Sequence, residues 1–114
     1  MAIQTTTQKN ALANDYAGDA LYGAVYTTAP GASAGTEPSG GSPAYARKSL
    51  SWSSASGGVV SATATFDIPS GTTVVGIGVH TAVTAGTYLD GASITSQAFA
   101  SQGTLTVTFT YTQS

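Results

Sequence analysis

The chain has 114 residues, enough for one domain and too few for two independent cores. It carries three basic and five acidic residues, a charged fraction of 7% and a net charge of -2, so it has no electrostatic footprint for nucleic acid. Cysteine is absent, which excludes a disulfide framework and thiolate chemistry, and no run approaches the roughly 20 apolar residues that span a bilayer.

Residues 1–6 read as an extended or disordered arm. Thr7 is placed to cap a short helix over 8–17, with Gly18 as its stop. Leu12 and Tyr16 lie at i and i+4, a narrow apolar stripe. A helix this short is marginal alone in water and needs a surface, either its own sandwich or a neighbour. Residues 20–28 make the first strand, with Tyr22, Ala24 and Tyr26 on one face and Leu21, Gly23 and Val25 on the other. Residues 29–44 form a long loop whose four glycines and three prolines forbid a regular element. In a small domain such a loop usually serves a function or lies against something.

The second strand, over 45–53, sets Leu50 and Trp52 against Arg47, Ser49 and Ser51. Ser56-Gly57-Gly58 is a hairpin-type connection to a third strand over 58–68, with Val60, Ala62, Ala64, Phe66 and Ile68 inward. Pro69-Ser70-Gly71 makes a turn into a fourth strand over 73–81. There Gly76 and Gly78 oppose Val75, Ile77 and Val79, a sign of a close backbone approach or a bulge. Two short strands, 86–90 and 92–99, flank the turn dipeptide Asp90-Gly91. The last strand, 104–112, alternates Leu105, Val107, Phe109 and Tyr111 with five threonines, so one side is buried and the other faces solvent.

These patterns define an all-β fold, an antiparallel sandwich or flattened barrel of about seven strands. Residues 1–19 supply an N-terminal arm and short helix, and 20–114 the sandwich domain. The expected core is Leu50, Trp52, Phe66, Ile68, Val75, Ile77, Val79, Leu105, Val107 and Phe109.

No catalytic constellation stands out. His80 is the only histidine, and no spacing ties it to Asp67 or Asp90 as a Ser–His–Asp site. Asp67 and Asp90 would have to form a carboxylate pair for glycoside cleavage, but both read as strand–turn residues. A metal site needs several ligands, and there is no second histidine or any cysteine to share one. Ser39 to Ser42 is glycine-rich but precedes a strand and lacks the Gly-Lys-Ser/Thr ending of a phosphate cradle. Tyr22, Tyr26, Tyr45, Trp52 and Tyr88 offer aromatic rings for a sugar platform, although strand aromatics more often pack in cores and on sheet faces. The reading is a non-enzyme without cofactors.

A low-charge, hydroxyl-rich surface suits packing against other subunits, because few ions must be desolvated. A secreted or simply β-rich domain would also favour threonine. The N-terminus shows no basic region or apolar core of a signal peptide, so synthesis in the cytoplasm, without export by the usual route, is expected.

The run from Gly35 to Lys48, G-T-E-P-S-G-G-S-P-A-Y-A-R-K, followed by Leu50-Ser51-Trp52, resembles a motif of small tailed-phage virion proteins. The likeness is to those of phages infecting actinobacteria, labelled tail fibre, minor tail or head decoration protein. The strand and turn L-Y-G-A-V-Y-T-T-A-P-G, then F-D-I-P-S-G-T-T-V, then A-G-T-Y-L-D-G-A extend it over about 10–112. The resemblance implies a virion structural protein and brings no catalytic residues. Its compactness, with no trimerising shaft, favours a capsid decoration protein bound to the major capsid protein on the outer head. The alternatives are a minor tail or tail-fibre protein, or a module binding host-surface carbohydrate. Contacts with other virion subunits, and with further copies of the chain, are expected at Ile3, Leu12, Tyr16, Glu37, Pro38, Pro43, Tyr45 and Arg47. No nucleic acid or membrane partner is expected. On this reading, deleting 2–17 would leave the sandwich folded.

Overall fold

The computed structural model describes residues 2–114; the first residue of the expected arm lies outside them. The order of elements is α1 (Thr6–Asp19), β1 (Tyr22–Tyr26), β2 (Lys48–Ser49), β3 (Val59–Ile68), β4 (Thr72–His80), β5 (Tyr88–Phe99) and β6 (Gly103–Thr112). The strands form two antiparallel sheets, one ordered β2-β1-β4-β5 and the other β3-β6. The all-β sandwich with a short N-terminal helix is the fold that the alternation predicts.

Alternation is cleanest where the sandwich is simplest. Strands β3 and β6 pair over ten residues without a break, from Val59 opposite Thr112 to Ile68 opposite Gly103. Their inward side chains Ala62, Ala64, Phe66, Ile68, Val107 and Phe109 meet Val25, Leu50, Val74 and Val79 in the core. On the outer face Thr63 meets Thr108 at 3.2 Å and Thr65 meets Thr106 at 2.9 Å. Such cross-strand hydroxyl pairs add to the ladder.

Strand β1 is buried on both faces. One face looks into the core through Val25. Over the other, Tyr26 lies flat across Gly78 of β4, and a Cβ at position 78 would collide with its ring. Here glycine is required by the close approach, which is what Gly76 and Gly78 foretold. At Gly91 the Tyr88 hydroxyl and Pro30 crowd the same surface.

Several expectations are corrected. Among the described residues there are six strands, because the strands expected over 86–90 and 92–99 merge into the single strand β5, Tyr88–Phe99. Asp90 and Gly91 do not turn; they pair with Val79 and Gly78 in the middle of the ladder. A glycine after Asp is a turn signal only when nothing must pack over it, and here Tyr88 does. The strand expected over 45–53 shrinks to Lys48–Ser49; around it the side chains of Tyr45, Arg47 and Trp52 bond to backbone groups of Val25, Ala82 and Ala20, where ladder bonds were expected. Val74 enters the core in place of Val75, because the β4–β5 register shifts between Val74 and Gly76. Trp52, Ile77 and Leu105 are half-buried against the core and not inside it. The Trp52 indole N–H instead donates to the Ala20 carbonyl at 2.7 Å.

The helix begins earlier than expected. Thr5, not Thr7, caps it, its hydroxyl accepting from the Gln8 N–H at 3.2 Å. Gly18 does not stop it; the helix runs on to Asp19. It is docked on its own sandwich. Tyr16 stacks on Tyr111 with ring centroids 3.8 Å apart and meets Trp52 edge-on at 5.9 Å. Asn10 accepts from the Gly58 N–H and Asn14 from the Ala55 N–H. Ala13 and Ala20 are fully buried. The helix is therefore part of the packing, and removing 2–17 is now expected to lower the melting temperature and reduce β-sheet circular dichroism cooperativity. Gly78→Ala should cost about 1–3 kcal/mol through overpacking against Tyr26, measured by urea denaturation.

Candidate interaction site

One arginine ties the long loop to the far side of the sheet. Arg47 stands just before β2 and reaches back to Glu37, with Nε to Oε1 at 3.0 Å and Nη2 to Oε2 at 2.9 Å. Its remaining nitrogen, Nη1, donates to the carbonyls of Ala82 and Ala85 at 3.0 and 2.8 Å. One planar fork thus joins the 29–44 loop to the 81–87 connection between β4 and β5. The Tyr45 hydroxyl donates to Glu37 Oε1 at 2.8 Å and accepts from the Val25 N–H at 3.2 Å. Burial pushes the Glu37 carboxyl up, but the Arg47 and Tyr45 hydrogen bonds outweigh it and hold the group below the usual carboxylate range. The hydrogen bonds that Arg47 donates to Glu37 likewise raise the Arg47 pKa.

Behind this fork lies His80, 3% exposed. Its Nε2 is 2.6 Å from the Tyr26 hydroxyl. Burial disfavours the imidazolium, Arg47 repels it, and Glu37 only partly offsets both, so its pKa lies below the ordinary value. Burial also raises the Tyr26 hydroxyl. The pair is a neutral hydrogen bond under the loop.

The expected contact residues fall into separate places. Glu37, Pro38, Tyr45 and Arg47 come together and line an open groove of about 330 Å³ with Val83, Thr84 and Ala85. Pro38 is buried in its wall, and Val83 stands 47% exposed on its rim. Pro43 is exposed and not among the groove's lining residues; it sits where Gln102 clamps the loop tip, accepting from Ser42 N–H and donating to the Pro43 carbonyl. Ile3 and Leu12 are half-buried at the helix. Tyr16 turns into the molecule, where its hydroxyl donates to Asp90 at 3.0 Å. Asp67 holds Lys48 at 3.3 Å, so the two aspartates serve different partners.

Sequence reasoning missed Val83, Ala85 and Gln102, which act through loops that carry no periodic signal. Asn10 and Asn14, four apart on α1, did carry one. Among the described residues no three acidic or histidine side chains gather as metal ligands, and no buried side-chain polar atom lacks a partner. No helix of the described residues is long and apolar enough to cross a membrane.

Two outcomes test this network. Arg47→Ala leaves Glu37 half-buried without its partner and should cost roughly 2–4 kcal/mol, with Arg47→Lys recovering only part because an ammonium cannot reproduce the fork. Chemical denaturation of both variants measures it. His80 sets the pH dependence. An unfolded histidine takes its proton near pH 6.5, while the buried one resists it. The unfolded state then binds more protons below that pH, so stability is full above it and falls as the pH drops through that window. His80→Gln should flatten the melting-temperature profile there.

A family described as podophage GP4 fiber I protein gp80 matches residues 4–113. No curated protein and no solved structure gives a match. With every residue of both sheets and the helix inside the matched span, this chain belongs to the podophage GP4 fiber I protein gp80 family and is a phage virion structural protein.

Proposed function

We propose that the chain is a structural subunit of a phage tail fibre, acting by binding and not by catalysis. The observation that carries this reading is the family match over residues 4–113, whose description names a fibre protein. That description favours the tail-fibre alternative over head decoration. Compactness argued for the head, but a compact sandwich serves equally as one unit of a fibre.

The surface chemistry supports a binding role. Its polarity is mostly hydroxyl and amide, so a neighbour can approach without stripping water from ions. The loop at 29–44, pinned by Arg47, offers a pre-shaped contour, which lowers the ordering cost of docking. Its partners on this reading are other virion subunits, with Val83 and the groove beside Arg47 as the contact.

Gold-labelled antibody against the chain, applied to intact particles, tests the location. Label confined to the tail is expected. Label spread over the head in hundreds of copies would overturn the fibre reading in favour of decoration. Val83→Asp should fold normally and reduce incorporation into particles; unchanged incorporation would move the contact elsewhere.

A further inference from the structure

Among the described residues, His80 is the one buried side chain that can change its charge near neutral pH. It ends β4 opposite Tyr22, on the face of the larger sheet turned away from the core. Tyr26 of β1 and Tyr88 of β5 share that face. The three rings are mutual neighbours, with centroids 5.5 to 6.3 Å apart. The 29–44 loop lies across them. Pro30 approaches Gly76 and Gly91, and the Tyr88 hydroxyl donates to the Gly31 carbonyl at 2.8 Å.

The surroundings leave little room for a second cation. Arg47 and Glu37 are the charged groups that act on the imidazole. Tyr45 acts one step away, through its bond to Glu37. Lys48 and Asp67 hold each other, and Asp90 is held by Tyr16. Both Glu37 oxygens are already taken, by Arg47 and Tyr45. While the ring is neutral, one proton between Nε2 and the Tyr26 oxygen serves both atoms. An imidazolium always carries a proton on Nε2. Tyr26 Oη must then accept it and turn its own proton away, and among the described residues that hydroxyl has no other hydrogen-bond partner. The new charge also faces the Arg47 guanidinium in a site shielded from water. Two movements relieve it: Arg47 withdraws, or Glu37 swings toward His80. Either one breaks the fork that joins the loop to Ala82 and Ala85.

We propose that protonation of His80 releases the cover of this sheet: the Arg47 fork opens, and the 29–44 loop and the 81–87 connection come loose while the sandwich behind them stays folded. The sign follows from reciprocity. A closed cover that disfavours the proton is disfavoured by the proton to the same degree, so the cover is closed at high pH and opens as the pH falls through the His80 titration. The core survives because His80, Tyr26, Tyr88, Glu37 and Arg47 are absent from the cluster that joins the two sheets. Strands β3 and β6 pair over ten residues without them. Glu37 titrates in a separate, lower window, since its carboxyl is held below the usual range. That the loosened surface is also a contact surface rests on the role proposed for the groove beside Arg47. The release itself does not, and it is read on the purified chain.

A single histidine makes the test direct, because the chain gives one imidazole resonance. The wild-type chain is titrated by NMR from about pH 8 to about pH 4.5, a range that spans an ordinary histidine. Backbone amides over 29–44 and 81–87 should shift with the same midpoint as the His80 imidazole. Their protection from hydrogen exchange, corrected for the intrinsic rate, should fall about tenfold or more, while β3 and β6 keep theirs. His80→Gln should leave the loop signals flat across that window. Protection lost equally in β3 and β6 would mean unfolding of the whole molecule and overturns the proposal. So does a loop that stays put after His80 has titrated, or a transition that persists in His80→Gln and belongs to Glu37. Should His80→Gln fail to fold, the wild-type midpoints decide: coincidence supports the release and separation overturns it.

Discussion

The Arg47 guanidinium is the constraint on which the loop side of this molecule depends. A 16-residue excursion rich in glycine and proline is fixed locally by scattered bonds at Thr36, Gly31 and Ser42, but those do not tie it to the β4–β5 connection. Four hydrogen bonds from one planar group supply that tie, two to Glu37 and two to backbone carbonyls beyond β4. Because the carboxylate is then fixed, Tyr45 is fixed, and through its hydroxyl so is the Val25 amide of the central strand. Order passes from a surface loop into the core through atoms that are all satisfied. Loosening any member leaves a half-buried polar group to be paid for by desolvation.

How much of this was legible follows from which forces leave a periodic trace. The alternation in β3 and β6 reported their inward faces nearly residue by residue, because burial on one side of a ladder acts at every second position. The glycines at 76 and 78 announced a close approach, though not that Tyr26 makes it. What failed were features set by contacts distant in sequence. Asp90-Gly91 looks like a turn until Tyr88 and Pro30 are seen lying over it. Val75 and Val74 exchange places because of a register shift that only the partner strand dictates. At the candidate site, Glu37, Tyr45 and Arg47 were singled out from a motif, and their mutual bonding was not visible in it. Val83 had no signal, being one apolar residue in a loop.

The helix shows how weak local propensity is settled by packing. Its apolar residues form no broad stripe, and in isolation it would scarcely persist. Tyr16 changes this by stacking on Tyr111 while its hydroxyl reaches Asp90, so that one side chain ties the helix to β5 and β6 together. Asparagines complete the attachment by accepting from amides at 55 and 58, groups that the irregular run before β3 would otherwise leave to water.

The scarcity of charge has its own outcome. Glu37 with Arg47 and Lys48 with Asp67 are the ion pairs among the described residues, and the first is largely shielded from solvent. The structure otherwise rests on apolar contact, backbone ladders and hydroxyl pairs, none of which dissolved ions screen. Ionic strength has little to act on. A particle that leaves a concentrated cell interior for dilute fresh water carries a protein whose folding balance gains or loses little through the change in screening.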